Sequence, residues 1–143
     1  MTRDEILALC QRQVDAWNAH DASAVAEFFA EDATLHDAGG ETVSGRGAIE
    51  TRAKMYMDAF PDLRLDAGPI DVDGNRFHLE WKALGTNSGS LAGMPATNKS
   101  VVVEGCDVGE VGDDGLIHAE TDYWNEASMM RQLGLMPEPA AAA

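Results

Sequence analysis

The sequence has few cysteines and few basic residues, and each scarcity excludes a class of function. Cys10 and Cys106 stand far apart, so we expect neither a disulfide framework nor a cysteine metal site, but two reduced thiols. Lysine and arginine number 10 against 25 aspartates and glutamates, which gives a net charge of −15. Because phosphates are bound mainly by basic side chains, this balance argues against nucleic acid and against anionic membrane surfaces as partners.

Long apolar runs and the common cofactor motifs are lacking as well. The first residues, Met-Thr-Arg-Asp-Glu, contain no apolar stretch of signal-peptide length, and no later segment is long enough to span a bilayer. The four histidines show no metal-ligand spacing, no glycine-rich phosphate loop occurs, and no serine sits in a nucleophile elbow. We therefore expect a cytoplasmic protein whose chemistry uses no cofactor and no metal.

The chain does have enough apolar residues for a folded core. Of its 143 residues, 45% are apolar and 24% are charged. These proportions are typical of one globular domain rather than a disordered or membrane-embedded chain. We predict a single domain over residues 1–136 and a flexible tail over 137–143, where prolines and alanines accumulate.

Apolar residues at helical spacing predict helices in the first half of the chain and at its end. Thr2 can cap the first helix, and Glu5 completes a capping box. A second helix is predicted over 22–30, a third over about 48–59, and a short amphipathic one over 126–133.

The remaining chain alternates as strands do, separated by turn residues. Strands are predicted over 32–36, 41–44, 63–72, 76–86, 100–111 and 116–124. Helices followed by a run of antiparallel strands indicate an α+β fold, with helices covering one face of a curved sheet. Such a curved sheet leaves a hollow, which is where small ligands usually bind.

Several stretches between residues 17 and 134 resemble a known family. They are Trp17-Asn18-Ala19-His20-Asp21, Gly45-Arg46-Gly47, Phe60-Pro61-Asp62-Leu63, Gly93-Met94-Pro95-Ala96-Thr97 and Tyr123-Trp124-Asn125. Together they resemble the nuclear-transport-factor-2-like superfamily and, within it, the SnoaL-like polyketide cyclase and ester cyclase group. The resemblance implies a cone-shaped fold that encloses a pocket, a homodimer paired through its sheets, and a catalytic aspartate at Asp122 on the last strand.

Asp122 belongs to an alternating set, His118-x-Glu120-x-Asp122-x-Trp124, whose members share one face of a strand. If that face lines the pocket, burial and like charge raise a carboxyl pKa and create a general base. The opposite face, which starts at Ile117, also has the composition of a face that packs in the core. If that face lies in the core, the acidic residues lie in solvent. Both interpretations follow from the residues, and the resemblance at Asp122 favours the pocket.

Other side chains are candidates for supporting roles. His36 lies on the first predicted strand and is a further catalytic candidate beside Asp122, His118 and Glu120. The candidates for substrate contact are Trp17, Tyr56, Trp81, Met94 and Trp124. Simple packing in the core is the alternative role for these apolar residues.

The sequence thus predicts a cofactor-free acid–base enzyme for an apolar, oxygen-bearing small molecule. In the cyclase version, Asp122 removes a proton from a carbon between two carbonyls, and the enolate attacks another carbonyl of the same molecule. An isomerase or hydrolase with the same pocket is one alternative, and a non-catalytic small-ligand-binding domain is another. An enzyme requires Asp122 inside the cavity with a shifted pKa, whereas a binder can have a wholly apolar cavity.

Overall fold

The computed structural model describes residues 1–137, which form four helices and six strands. The helices are α1 (Arg3–Asn18), α2 (Ala22–Glu27), α3 (Arg46–Ala59) and α4 (Glu126–Gln132). The strands are β1 (Phe29–Asp37), β2 (Thr42–Ser44), β3 (Arg64–Asp73), β4 (Arg76–Thr86), β5 (Ser100–Val111) and β6 (Ile117–Trp124). The predicted tail at 137–143 lies outside the described residues except for Pro137.

The strands form one open, mixed sheet in the order β2-β1-β6-β5-β4-β3. All neighbouring strands are antiparallel except β1 and β6, which run parallel. Helix α1 packs on β3 and β4, α3 on β1, and α4 on β5. The predicted α+β fold, with helices on a curved and mostly antiparallel sheet, is confirmed.

Helix α1 begins as its sequence predicts. The Glu5 backbone N–H donates to Thr2 Oγ1 at 3.2 Å, and the Thr2 N–H donates to Glu5 Oε2 at 2.7 Å. This capping box satisfies two N–H groups that the helix leaves free, and such a cap contributes about 1 kcal/mol. The apolar stripe of α1 is buried in the main core, which includes Ile6, Leu9 and Val14.

The second helix is shorter than predicted. It ends at Glu27, and Phe29 and Ala30 belong to β1 instead. Phe29 pairs with Ile117 of β6, and its carbonyl accepts hydrogen bonds from Arg46 Nε at 2.9 Å and Nη2 at 2.7 Å. These partners are distant in sequence, so tertiary pairing overrides the local helical spacing.

Strand β6 contains one extra residue relative to its neighbour β5. Ala119 pairs with Glu110, whereas Ile117 pairs with Val111, so His118 has no partner of its own across the ladder. An extra residue of this kind is a β-bulge, which shifts the inside–outside alternation by one residue.

Because of the bulge, residues of both faces of β6 point to the interior, so each of the two sequence interpretations of β6 holds for part of the strand. Before the bulge, Ile117 is completely buried in the core. After it, Glu120 and Asp122 face the inside, with only 5% and 6% of their surface exposed. The acidic residues are therefore interior, although Ile117 on the opposite parity is interior too.

Other features of the fold follow the sequence. Both cysteines are free. Arg76, His78, Glu80 and Lys82 are exposed on the outer face of β4, and a homodimer contact there stays a prediction. Within residues 1–137, no helix is long and apolar enough to cross a bilayer.

Candidate active site

A cavity of about 110 Å³ lies between the helices and the inner face of the sheet. Its wall is largely apolar and includes six aromatic side chains, Trp17, Phe29, Tyr56, Phe60, Trp81 and Trp124. Its polar groups come from α1, α3, β5 and β6, and they are Gln13, Arg52, Asp107, Glu120 and Asp122. This combination of apolar walls with a few grouped polar side chains is typical of small-molecule sites.

Three carboxyl groups meet in this cavity. Asp107 on β5 is the direct register partner of Asp122 on β6, and Glu120 precedes Asp122 by two residues on the same face. One carboxylate oxygen from each of the three lies within 4.8 Å of the others. The antiparallel pairing of β5 with β6 therefore builds the cluster from residues that are not adjacent in sequence.

A single guanidinium joins this cluster to a fourth carboxylate. Arg52 Nη2 lies 3.0 Å from Asp122 Oδ2 and donates to Asp37 Oδ1 at 2.7 Å, while Arg52 Nε donates to Asp37 Oδ2 at 3.1 Å. Trp124 Nε1 also donates to Asp37 Oδ1, at 3.2 Å. Asp37 and Asp122 are register partners in the parallel β1–β6 pair, so one arginine can reach both.

Burial makes these carboxyl groups difficult to ionise. It raises the pKa of Asp107 well above its ordinary value, and the neighbouring charges of Asp122 and Glu120 raise it further. Burial and the charge of Asp122 likewise raise the pKa of Glu120 well above its usual range. Burial raises the pKa of Asp122 as well, but Arg52 and hydrogen bonds from its two neighbours oppose that rise. The arrangement therefore makes Asp122 the easiest of the three to ionise and favours the neutral form at Asp107 and Glu120.

The remaining titratable neighbours keep their ordinary charge states. Burial alone would lower the pKa of Arg52, but Asp122 and Asp37 raise it above its usual range, so the guanidinium stays charged. Burial raises the pKa of Tyr56 to about 12, against the opposing effect of Arg52. The pKa of Cys10 is also raised to about 12, first by burial and then by Glu120 and Asp107. The Cys10 thiol is therefore no nucleophile at neutral pH.

Aromatic groups fix the positions of the charged ones. The Arg52 guanidinium carbon lies 5.3 Å from the centre of the Tyr56 ring, a cation–π distance. Tyr56 meets Trp124 edge to face with ring centres 6.2 Å apart. On the other side of the cluster, Trp81 Nε1 donates to Asp107 Oδ1 at 2.8 Å.

The three carboxylates could also bridge a divalent cation, because hard metal ions take carboxylate oxygens as ligands. Arg52, however, already places a positive charge 3.0 Å from Asp122. The raised pKa values of Asp107 and Glu120 also favour protons shared within the cluster. The residues present fit an acid–base centre better than a metal centre.

The structure brings most of the predicted site residues together. Glu120 and Asp122 lie in the cavity wall with four of the five predicted contact residues, Trp17, Tyr56, Trp81 and Trp124. The fifth, Met94, lies in the 87–98 loop and packs partly buried against a core cluster that includes Phe60, without lining the cavity. It is held in a tight turn by backbone hydrogen bonds with Leu91.

Both predicted catalytic histidines lie elsewhere. His118 is exposed because the bulge turns it outward, and its Nε2 lies 2.9 Å from Asp114 Oδ2 in the preceding turn. His36 is exposed on β1, where Nδ1 lies 2.9 Å from Thr42 Oγ1 of β2. Neither imidazole lines the cavity, which corrects the sequence-based placement of both.

Three residues of the site were not singled out by the sequence analysis. Arg52 carries a signal that could have found it, because it lies three residues after Ile49 and next to Ala53, both of which are buried. Asp107 carries one too, because it shares strand parity with buried Val101 and Val103. Asp37 has no such signal, since only the distant β1–β6 pairing places it beside Asp122.

These features define a class of protein. An open six-stranded sheet with helices over an inner cavity is the ketosteroid isomerase-like, or nuclear-transport-factor-2-like, fold. A protein with this fold from Catenulispora acidiphila superimposes with a TM-score of 0.73 at 20% identity, covering 95% of this chain and 96% of that one.

The chain belongs to the SnoaL-like polyketide cyclase family, which it matches over residues 8–133. AclR from Streptomyces galilaeus, a proposed hydroxylase, shares 25% identity with a TM-score of 0.84, covering 96% of this chain and 89% of that one. A proposed polyketide cyclase from Xanthomonas campestris shares 26% identity with a TM-score of 0.78, covering 92% and 98%. No curated protein matches the chain significantly in sequence.

Proposed function

We propose that this protein is an enzyme that transforms a small organic carbonyl compound by general acid–base catalysis, in the manner of a polyketide cyclase. One observation carries the proposal. Asp122 is buried in a largely apolar cavity, 3.0 Å from a permanently charged arginine and beside two carboxyl groups whose pKa values are raised. Such a site holds a base and an acid together at neutral pH.

Asp122 is the base in this proposal. Its carboxylate takes a proton from a carbon between two carbonyl groups, and the C–H electron pair moves into an enolate. The enolate carbon then attacks a third, more distant carbonyl carbon of the same molecule, which forms a C–C bond and leaves an alkoxide. Positioned proton transfer of this kind typically contributes about 10²- to 10⁴-fold in rate.

Asp107 and Glu120 are the acids. In their neutral forms each can donate a hydrogen bond to the enolate or alkoxide oxygen, where charge develops. One of them protonates the final alkoxide, and the proton held by Asp122 returns to the cluster over the short carboxyl separations. Glu120 was a catalytic candidate from the sequence, whereas Asp107 was not.

Arg52 keeps Asp122 ionised, and Asp37 and Trp124 hold Arg52 in place. The aromatic walls bind and fold the substrate so that the reacting carbons are close, which can be worth several kcal/mol. None of these steps requires a cofactor. If the same enolate is protonated on another carbon, the reaction is an isomerisation, so the two reactions differ in the substrate rather than in the catalytic groups.

A non-catalytic binding domain is a weaker candidate. Burying several carboxyl groups in one cavity is costly to stability, and a binder of apolar molecules gains nothing from it. The ionisable cluster is therefore the feature that favours an enzyme.

Substitution of Asp122 tests the proposal. With a flat aromatic 1,3-diketone that carries a third, more distant carbonyl group as substrate, Asp122→Asn should lower the rate of ring closure by about 10²- to 10⁴-fold, because the amide cannot accept the proton. Asp113→Asn, in the exposed turn before β6, is the matched control and should leave turnover unchanged. Thermal denaturation of each variant with and without the diketone shows whether binding persists. Unchanged turnover in Asp122→Asn would falsify the assignment of the base.

A further inference from the structure

The polar end of the cavity contains buried oxygen atoms that accept no hydrogen bond from an N–H group. Gln13 Oε1, Glu120 Oε1 and Asp122 Oδ1 have no partner among residues 1–137. All three residues line the cavity, and Gln13 is only 4% exposed. Leaving a buried acceptor unpaired costs about 1–3 kcal/mol. Without a ligand, only the protons that Asp107 and Glu120 retain can satisfy the carboxyl oxygens, and a ligand that brings hydrogen-bond donors can replace those protons.

The charges in the cavity also favour a ligand with hydrogen-bond donors. Arg52 is the one cationic side chain among the described residues of the cavity wall, against the carboxyls of Asp107, Glu120 and Asp122. Its guanidinium is already shared between Asp37 and Asp122. No cation of the described chain therefore pairs with Glu120, which retains its proton instead, and a positively charged ligand group can take the place of that proton.

The rest of the wall indicates the size and character of the ligand. Trp17, Tyr56, Trp81 and Trp124 present aromatic surfaces that bind a flat ring and attract a nearby cation. The volume of about 110 Å³ is somewhat smaller than an engineered cavity of about 150 Å³ that holds benzene. The space therefore limits the ligand to about one small ring in size.

We propose that this cavity takes a small protonated primary amine carrying one apolar ring, with its ammonium group placed against Gln13, Glu120 and Asp122. An ammonium group has three N–H donors, which matches the three unpaired oxygens. The inference rests on the proposed function in that it adds an ammonium group to the carbonyl substrate of the same site. When the ammonium group is bound in this way, it favours the ionised form of Glu120. Asp107 then remains the acid beside Asp122.

A matched pair of ligands tests this inference. Benzylamine, which is protonated at pH 7, and benzyl alcohol, its neutral analogue of nearly the same shape, are titrated into the full chain by calorimetry. Benzylamine should bind at least tenfold more tightly. Glu120→Gln and Gln13→Leu should each reduce that preference at least fivefold, while Glu104→Gln on the exposed face of β5 keeps it. Far-UV circular dichroism verifies that each variant is folded.

Several results would overturn the inference. Equal affinity for the two ligands would exclude a role for the ammonium charge. A one-to-one isotherm with Mg²⁺ or Mn²⁺ that disappears in Glu120→Gln would make the cluster a metal centre instead.

Failure of this inference and failure of the proposed function give different results. If benzylamine fails to bind but Asp122→Asn abolishes diketone turnover, only the amine inference is wrong. If benzylamine binds as expected but Asp122→Asn leaves turnover intact, only the proposed base is wrong.

Discussion

At the scale of single residues, the site depends on which carboxyl group carries the negative charge. Asp107, Glu120 and Asp122 have similar chemistry, but Arg52 contacts Asp122 alone among the three. Because an adjacent cation favours the charged form, this contact separates the base from the acids. The same logic gives Arg52 an effect on the pH profile of the enzyme, independent of any contact with substrate.

Arg52→Met should raise the pKa of Asp122, because burial then acts without an opposing positive charge. The base is ionised above its pKa, so the acidic limb of the pH–rate profile should move to higher pH. The profile of kcat/KM against pH for diketone turnover measures this shift. Arg64→Met, which removes an exposed arginine paired with Asp66, is the control and should leave the limb in place. A limb that does not move in Arg52→Met contradicts the assignment of Asp122 as the titrating base.

At the scale of the strands, β5 is shaped to receive an aromatic ring. Trp81 of β4 lies opposite Gly105, and a Cβ atom added at Gly105 would collide with its indole ring. The missing side chain lets the ring lie across β5, from where Trp81 Nε1 reaches Asp107. A glycine in the middle of a strand therefore supports the acid of the site by close packing.

Gly105→Ala should displace Trp81 and weaken its hydrogen bond to Asp107. We expect a loss of about 1–3 kcal/mol in the free energy of unfolding, typical of overpacking a core. Urea denaturation measures it. Gly47→Ala in helix α3 is the matched control, because its added Cβ has no atom within 4 Å, and alanine favours helix. An equal effect of both substitutions would show that the Trp81 ring does not need the space.

Much of this element structure could be predicted from the sequence, and the exceptions share one cause. Strands 76–86 and 100–111 have their predicted bounds, because alternation and turn residues are local signals. The end of α2 and the bulge in β6 could not be predicted, since both are set by the pairing of β1 with β6 and of β5 with β6. Within the site, alternation placed Glu120 and Asp122 on one face and the resemblance favoured the interior. No local pattern brings Asp37 to Arg52.

At the scale of the whole molecule, the carboxyl cluster links folding to proton binding. Asp107 and Glu120 have pKa values raised well above their ordinary range by burial, so the folded chain binds protons that the unfolded chain releases above about pH 4. Stability from these groups is fully present at low pH and is lost as pH rises from about 4 through the raised pKa values. Each proton retained in the folded state lowers the unfolding free energy by about 1.4 kcal/mol per pH unit.

The dependence of unfolding free energy on pH is the most direct test of this protonated cluster. Urea denaturation between pH 5 and 8 compares the wild type with Glu120→Gln, and the difference between them cancels the effect of the histidines. The account predicts that the variant gains stability over the wild type as pH rises, since its amide never ionises. Glu104→Gln, an exposed control, should follow the wild type. A Glu120→Gln curve parallel to that of the wild type would mean that Glu120 holds no proton in the folded protein, which would contradict the acid–base centre at the heart of the proposed function.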